Sequence, residues 1–116
     1  MKISMVIVAV GMSAAAVQAA PPEAFGVCSG CHVTTKGAAS TIGPNLFGVT
    51  ARKSGTYPEF SYSPGMKAAG LPWTAANLKA FVMNPQKTVP GNRMPYGGQM
   101  DATRAQAIVA YLETLK

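Results

Sequence analysis

Both cysteines and the single histidine of this 116-residue chain fall in one pentapeptide, Cys28-Ser29-Gly30-Cys31-His32. On a helical turn a spacing of three puts two side chains on one face, so both thiols can bond to the same flat group. C-x-x-C-H is the spacing of c-type haem attachment, with Cys28 and Cys31 forming thioethers to the two vinyl groups. His32 then stands beside the second thioether, within reach of the iron as proximal ligand. The competing readings fit less well. A closed zinc site wants four Cys or His ligands, and the chain holds three. A thioredoxin-like dithiol wants strands alternating with helices, a pattern missing from a sequence this rich in Gly, Pro and Ala. A plain disulfide leaves the adjacent His32 without a role.

The other end of the chain reads as an export signal. Lys2 is a short positive start, residues 3–10 are apolar, and Val17-Gln18-Ala19 is a small-residue processing site. Together these match a secretory signal peptide over residues 1–19, leaving a domain over residues 20–116 in the periplasm. The alternative is a retained anchor, since residues 3–20 carry no charge and are nearly long enough to span a bilayer. After cleavage no stable membrane insertion is expected.

What remains is short for a self-sufficient apolar core, so a buried porphyrin becomes a structural component and the apo-protein is expected to fold poorly. Removing Lys2 leaves nine basic against four acidic side chains. That balance bears on partners and solubility rather than on fold. Nucleic acid is not the implied partner, because the chain has no Lys/Arg run or recognition motif and is bound for export.

Helical signals in residues 20–116 are separated by turn-rich stretches. Pro21 and Pro22 lead into Glu23-Ala24-Phe25-Gly26-Val27-Cys28, with Pro suited to a first turn and Glu23 placed to complement the helix dipole. Residues 33–62 are broken by Gly37, Gly43, Pro44, Gly48, Gly55 and Pro58 and read as loops and turns without strands. Ser63, Pro64 and Gly70 punctuate a short second helix. Thr74 opens a third, whose apolar Leu78, Phe81 and Val82 fall at helical spacing and which should stop at Asn84-Pro85. Asp101 caps a last helix with a stripe of Ile108, Tyr111, Leu112 and Leu115, expected to pack on Phe25. The predicted class is therefore all-α, about four helices wrapped around one haem.

Residues 84–100, with Pro85, Pro90, Gly91, Pro95, Gly97 and Gly98, read as a long irregular connection of the kind that is usually functional. With His32 the only histidine, a six-coordinate iron needs another donor, and a thioether suits haem iron. Met66, Met83, Met94 and Met100 are the candidates. Met66 and Met83 lie in helical segments, where methionine is usually packing. Met100 adjoins the last cap, and Met94 sits on backbone that no predicted helix holds back.

The ordered set Cys28-Ser29-Gly30-Cys31-His32, Gly43-Pro44-Asn45-Leu46, Arg52-Lys53, Phe60-Ser61-Tyr62, Trp73, Asn84-Pro85 and Val89-Pro90-Gly91-Asn92-Arg93-Met94 resembles the class I cytochromes c over essentially all of residues 20–116. The resemblance implies one haem c, His32 and Met94 as axial ligands, and a Pro44 carbonyl that fixes the His32 tautomer. It also implies that Arg52, Tyr62 and Trp73 serve the haem propionates, which need donors or an opposite charge once taken from water. The chain departs from the better-known members on the Met side. Phe81 stands where many have Tyr, Met66 and Asn92 where they have polar groups around an internal water, and Tyr96 where they have Phe, so a drier Met side is expected.

The function implied is electron transfer by a monomeric carrier and not catalysis, since two axial ligands leave no iron position open. Lys36, Lys87 and Arg93 flank the ligand segments and are expected to steer the protein to acidic docking surfaces on redox partners such as quinol-cytochrome c oxidoreductase, a terminal oxidase or a dehydrogenase. The alternatives are a dedicated electron-donating subunit of a periplasmic dehydrogenase, or a haem peroxidase or gas-binding protein with an open sixth position.

Overall fold

The computed structural model describes residues 5–9, 11 and 19–116. Much of the predicted signal peptide, including Lys2 and the Val17-Gln18 part of the processing site, lies outside the described residues. Among the described residues there is no strand, only an isolated antiparallel bridge between Lys53 and Pro72, and no helix is long and apolar enough to cross a membrane.

A 3-10 turn over Glu23–Phe25 runs straight into α1, Gly26–Ser29. The long C-terminal α5, Ala102–Glu113, packs on that 3-10 turn. Asp101 starts it, its carboxylate accepting from the backbone N–H groups of Thr103 and Arg104 at 2.8 and 3.1 Å. Ala105, Ile108, Val109, Tyr111 and Leu112 form its buried face, and Leu115 just beyond the helix is also buried. The expected contact with the first helical segment is present: the Phe25 and Tyr111 rings meet edge to face, with centroids 4.8 Å apart.

α2, Pro64–Ala69, follows its sequence signals closely. Ser63 Oγ accepts from Met66 N, Pro64 occupies the first turn and Gly70 ends the helix in the left-handed region at φ 55°. α3, Ala75–Met83, is capped by Thr74 and buries Leu78 and Val82 as it packs on α5.

The expectation of an unbroken loop after Asn84 is corrected. The chain re-enters a helical turn at once, α4 over Pro85–Thr88, with Asn84 closing α3 and opening α4. At φ −150° and ψ 86° Asn84 is outside the helical region, as a residue before proline prefers. Its side-chain oxygen then accepts from Lys87 N at 3.2 Å, and Pro85 fits a first-turn position that needs no N–H. The same dipeptide thus stops one helix and starts another. A further 3-10 turn, Val49–Ala51, interrupts the expected loop of residues 33–62.

The rest of that loop is ordered by buried polar side chains. Asn45 is fully buried, donates to Thr35 O and Ala38 O at 2.9 Å each, and accepts from Phe47 N. Buried Ser54 accepts from Leu71 N, while its own N–H donates to Leu71 O. These bonds wrap residues 33–62 around one side of a large opening in the middle of the molecule.

Candidate functional site

The opening is a cavity of about 480 Å³ lined by residues from both long loops and from α1, α3 and α5. It falls in the size range of small-molecule and cofactor sites. Cys28 enters it from α1. Cys31 lies just past the end of that helix, and helix-like bonds from Cys31 N and His32 N to Cys28 O, at 3.1 and 2.9 Å, carry the turn onward. Both cysteines are therefore brought to the cavity as the spacing predicts, and no disulfide joins them. Burial, with Cys31 adding, pushes the Cys28 thiol up to about 11.

His32 is held in one orientation. Its Nδ1 lies 2.8 Å from the Pro44 carbonyl, which can only accept, so Nδ1 carries the proton and Nε2 keeps its lone pair. Gly43 packs directly on the ring, and a Cβ there would collide with Cε1 of His32 and press on both ring nitrogens. Burial lowers the His32 pKa, the Pro44 bond opposing it, which favours a neutral imidazole. A neutral, oriented imidazole is the form that ligates a metal.

Met94 also lines the cavity, at the far end of the chain from His32. The loop that delivers it is tied down at nearly every residue. Buried Asn92 donates to Pro85 O and Val89 O and accepts from Met94 N at 3.1 Å. Gln86 donates to Asn92 O, and the Tyr96 hydroxyl donates to Val82 O at 3.0 Å. Gly65 of α2 lies so close to Pro90 O that no side chain fits there. Of the four candidate methionines, Met66 and Met94 reach the cavity; Met83 packs against the core and Met100 is 87% exposed.

Pro44, Arg52, Tyr62 and Trp73 all line the same cavity. Trp73 is buried and meets Phe81 edge to face at 5.1 Å. Arg52 Nη2 donates to Asn45 O at 2.8 Å, and Arg52 Nη1 is buried without a hydrogen-bond partner. Sequence reasoning passed over Tyr57, whose ring lies under the Arg52 guanidinium with Cζ 4.4 Å from the centroid. Nothing in its neighbourhood marks it, because the contact exists only once residues 52–62 close into a loop. It also treated Asn92 as a departure from a family pattern, whereas its work is to anchor the Met94 loop.

A family model described as Cytochrome c matches residues 22–116. The chain belongs to the cytochrome c family. Cytochrome c2 of Rhodopila globiformis is 43% identical to this cytochrome over 90 residues, covering 78% of this chain and 84% of that one. Cytochrome c2 iso-1 of Magnetospirillum molischianum is 39% identical over 99 residues, covering 84% and 98%. In three dimensions, cytochrome cH from Methylobacterium extorquens superimposes with a TM-score of 0.73 at 37% identity, covering 78% of this chain and 91% of that chain. The fold is thus the all-α cytochrome c fold, of the class I monohaem type. This cytochrome c carries one haem c, bound covalently through Cys28 and Cys31.

The cavity fits that group on its own evidence. It offers two thiols side by side, an imidazole with a free Nε2, a thioether on a tethered loop, and an apolar wall. The orphaned Arg52 Nη1 is the feature hardest to explain without an anion, since buried donors are otherwise paired.

Proposed function

We propose that this cytochrome c is an exported, diffusible one-electron carrier whose haem iron is ligated by His32 and Met94. When bound, the haem supplies a ferric/ferrous couple that exchanges one electron at a time. The observation that carries the reading is the convergence of an oriented, neutral His32 and a tethered Met94 on one cavity beside the two cysteines.

His32 contributes a strong donor because Pro44 accepts its Nδ1 proton and holds the ring still. Met94 contributes a soft donor, which raises the potential. The apolar wall weighs against the extra positive charge of the ferric state, so a positive midpoint is expected. Polar groups on the Met side are spent on backbone: Tyr96 on Val82 O, and Asn92 on three backbone atoms. With Phe81 lacking a hydroxyl, this supports the drier Met side. Arg52, Tyr62 and Trp73 offer donors that the haem propionates require.

Val27 and Ile42, 63% and 69% exposed, lie at the rim beside the cysteines, and this edge is where an electron would leave. Lys36, Lys87 and Arg93 are exposed and available to steer an acidic partner. Arg93 also donates to Ser61 O across the rim at 3.1 Å.

The deciding experiment is the ferric absorption spectrum of single variants. Met94→Ala should abolish the weak sulfur-to-iron band, while Met66→Ala should keep it. A band that survives Met94→Ala and disappears in Met66→Ala would overturn the ligand assignment.

A further inference from the structure

Arg52 and Tyr62 come from opposite ends of an eleven-residue loop segment, yet both line the haem cavity. Each has a donor left over. Arg52 spends Nη2 on Asn45 O, and its buried Nη1 has no partner. The Tyr62 oxygen accepts from the Tyr57 backbone N–H at 3.1 Å, which leaves the phenol proton to be donated elsewhere.

Tyr57 touches both of these groups. Its ring supports the face of the Arg52 guanidinium at 4.4 Å, a cation–π contact, and its backbone N–H fixes the Tyr62 oxygen. Phe60 closes the other side, edge to face on Tyr62 at 4.8 Å. Burial weighs against the charge of Arg52, and electrostatic attraction to the Tyr62 and Tyr57 phenol groups opposes that effect. An arginine stem is long and flexible. Without a surface beneath it the guanidinium can swing to water, where its field is screened.

We propose that Tyr57 is a positioning residue, holding the Arg52 fork and the Tyr62 hydroxyl as a two-donor clamp for an anionic group of the haem and so favouring the ferrous state. The inference rests on the reading that Arg52 and Tyr62 meet the haem propionates. A cation fixed in a poorly solvated site opposes the additional positive charge of ferric iron, and a mobile one does so less. The Tyr57 ring, not its hydroxyl, does the holding, so phenylalanine should serve as well.

The test is the midpoint potential of the holoprotein, titrated spectroelectrochemically for the wild type, Tyr57→Leu, Tyr57→Phe, Arg52→Ala and the Tyr57→Leu/Arg52→Ala double variant. Tyr57→Leu should lower the potential, Tyr57→Phe should restore it, and Tyr57→Leu should have no further effect once Arg52 is gone. An unchanged potential in Tyr57→Leu, or the same shift with and without Arg52, would overturn the clamp. An unchanged potential in Arg52→Ala would instead overturn the propionate reading beneath it. A measurement on the wild type alone guards against variants that fold poorly: proton NMR of the ferrous protein should show Arg52 side-chain resonances moved by the Tyr57 ring current. Arg52 resonances at ordinary positions would overturn the proposal.

Discussion

Asn92 shows how one side chain can hold a functional loop. It is buried, and its amide serves two carbonyls and one N–H of the segment that presents Met94. Asn92→Ala leaves those groups without partners, and at about 1–3 kcal/mol for each stranded buried group, partly relieved by relaxation, the expected loss is about 2–3 kcal/mol. Guanidinium unfolding of the holoprotein would measure it, and a loss under about 0.5 kcal/mol would mean the loop is held elsewhere. Tyr62 gives a pH signature. Burial holds its phenol above the ordinary range, with Tyr57 adding, while the Tyr57 N–H bond and the Arg52 charge pull it back. The unfolded phenol therefore ionises first as pH rises, so stability from this group is full below about pH 10 and is lost above it. Unfolding midpoints followed from neutral to alkaline pH should fall less in Tyr62→Phe than in the wild type; parallel curves would show that Tyr62 is not buried as described. Cys28, Cys31 and His32 were legible at this scale from their spacing alone, whereas Arg52, Tyr62, Trp73 and Met94 stood out only through the resemblance to a family. Tyr57 and the close approach of Gly43 to His32 were not legible, because no local pattern encodes a contact between loops.

At the scale of elements, capping and proline signals carried most of the information. Ser63, Thr74 and Asp101 each cap the helix that the sequence assigns to them. The miss was α4, where Asn84-Pro85 signals both an end and a beginning and reads as an end alone when the chain is scanned in one direction. Asp101 also supplies the only negative charge at the start of α5, whose first turn holds no acidic residue. Asp101→Ala removes the cap and the charge together and should cost about 1 kcal/mol, whereas Asp101→Asn keeps the cap and should lose less than half of that. Thermal unfolding of the two variants separates the contributions, and equal losses would assign the whole effect to charge.

For the molecule as a whole, the haem cavity sets the stability. An apolar void costs about 24 cal/mol per Å³, so a 480 Å³ cavity implies a penalty on the order of 10 kcal/mol as an upper bound for a cleft open at one side. That is comparable with the entire stability of a domain of this size, about 5–15 kcal/mol. The apo-protein, made by replacing both Cys28 and Cys31 with Ala, should therefore lose its fixed near-ultraviolet circular dichroism and unfold without a cooperative transition. A sharp transition near that of the holoprotein would show that the protein core, centred on α3, α5 and Phe25, is sufficient by itself.

The sequence by itself determined the covalent chemistry and the limits of the capped helices α2, α3 and α5, because thioether spacing, caps and prolines act over one or two turns of chain. It also narrowed the candidates for the proposed second ligand to four methionines. Which of these reach the cavity, and how Arg52, Tyr57 and Tyr62 come together, only the tertiary structure decided. Those relations depend on how loops from distant parts of the chain close around one volume, and two loops can meet in space with no periodicity or spacing to announce it. The pentapeptide names the cofactor; the fold around it selects what faces the cofactor and what is turned away.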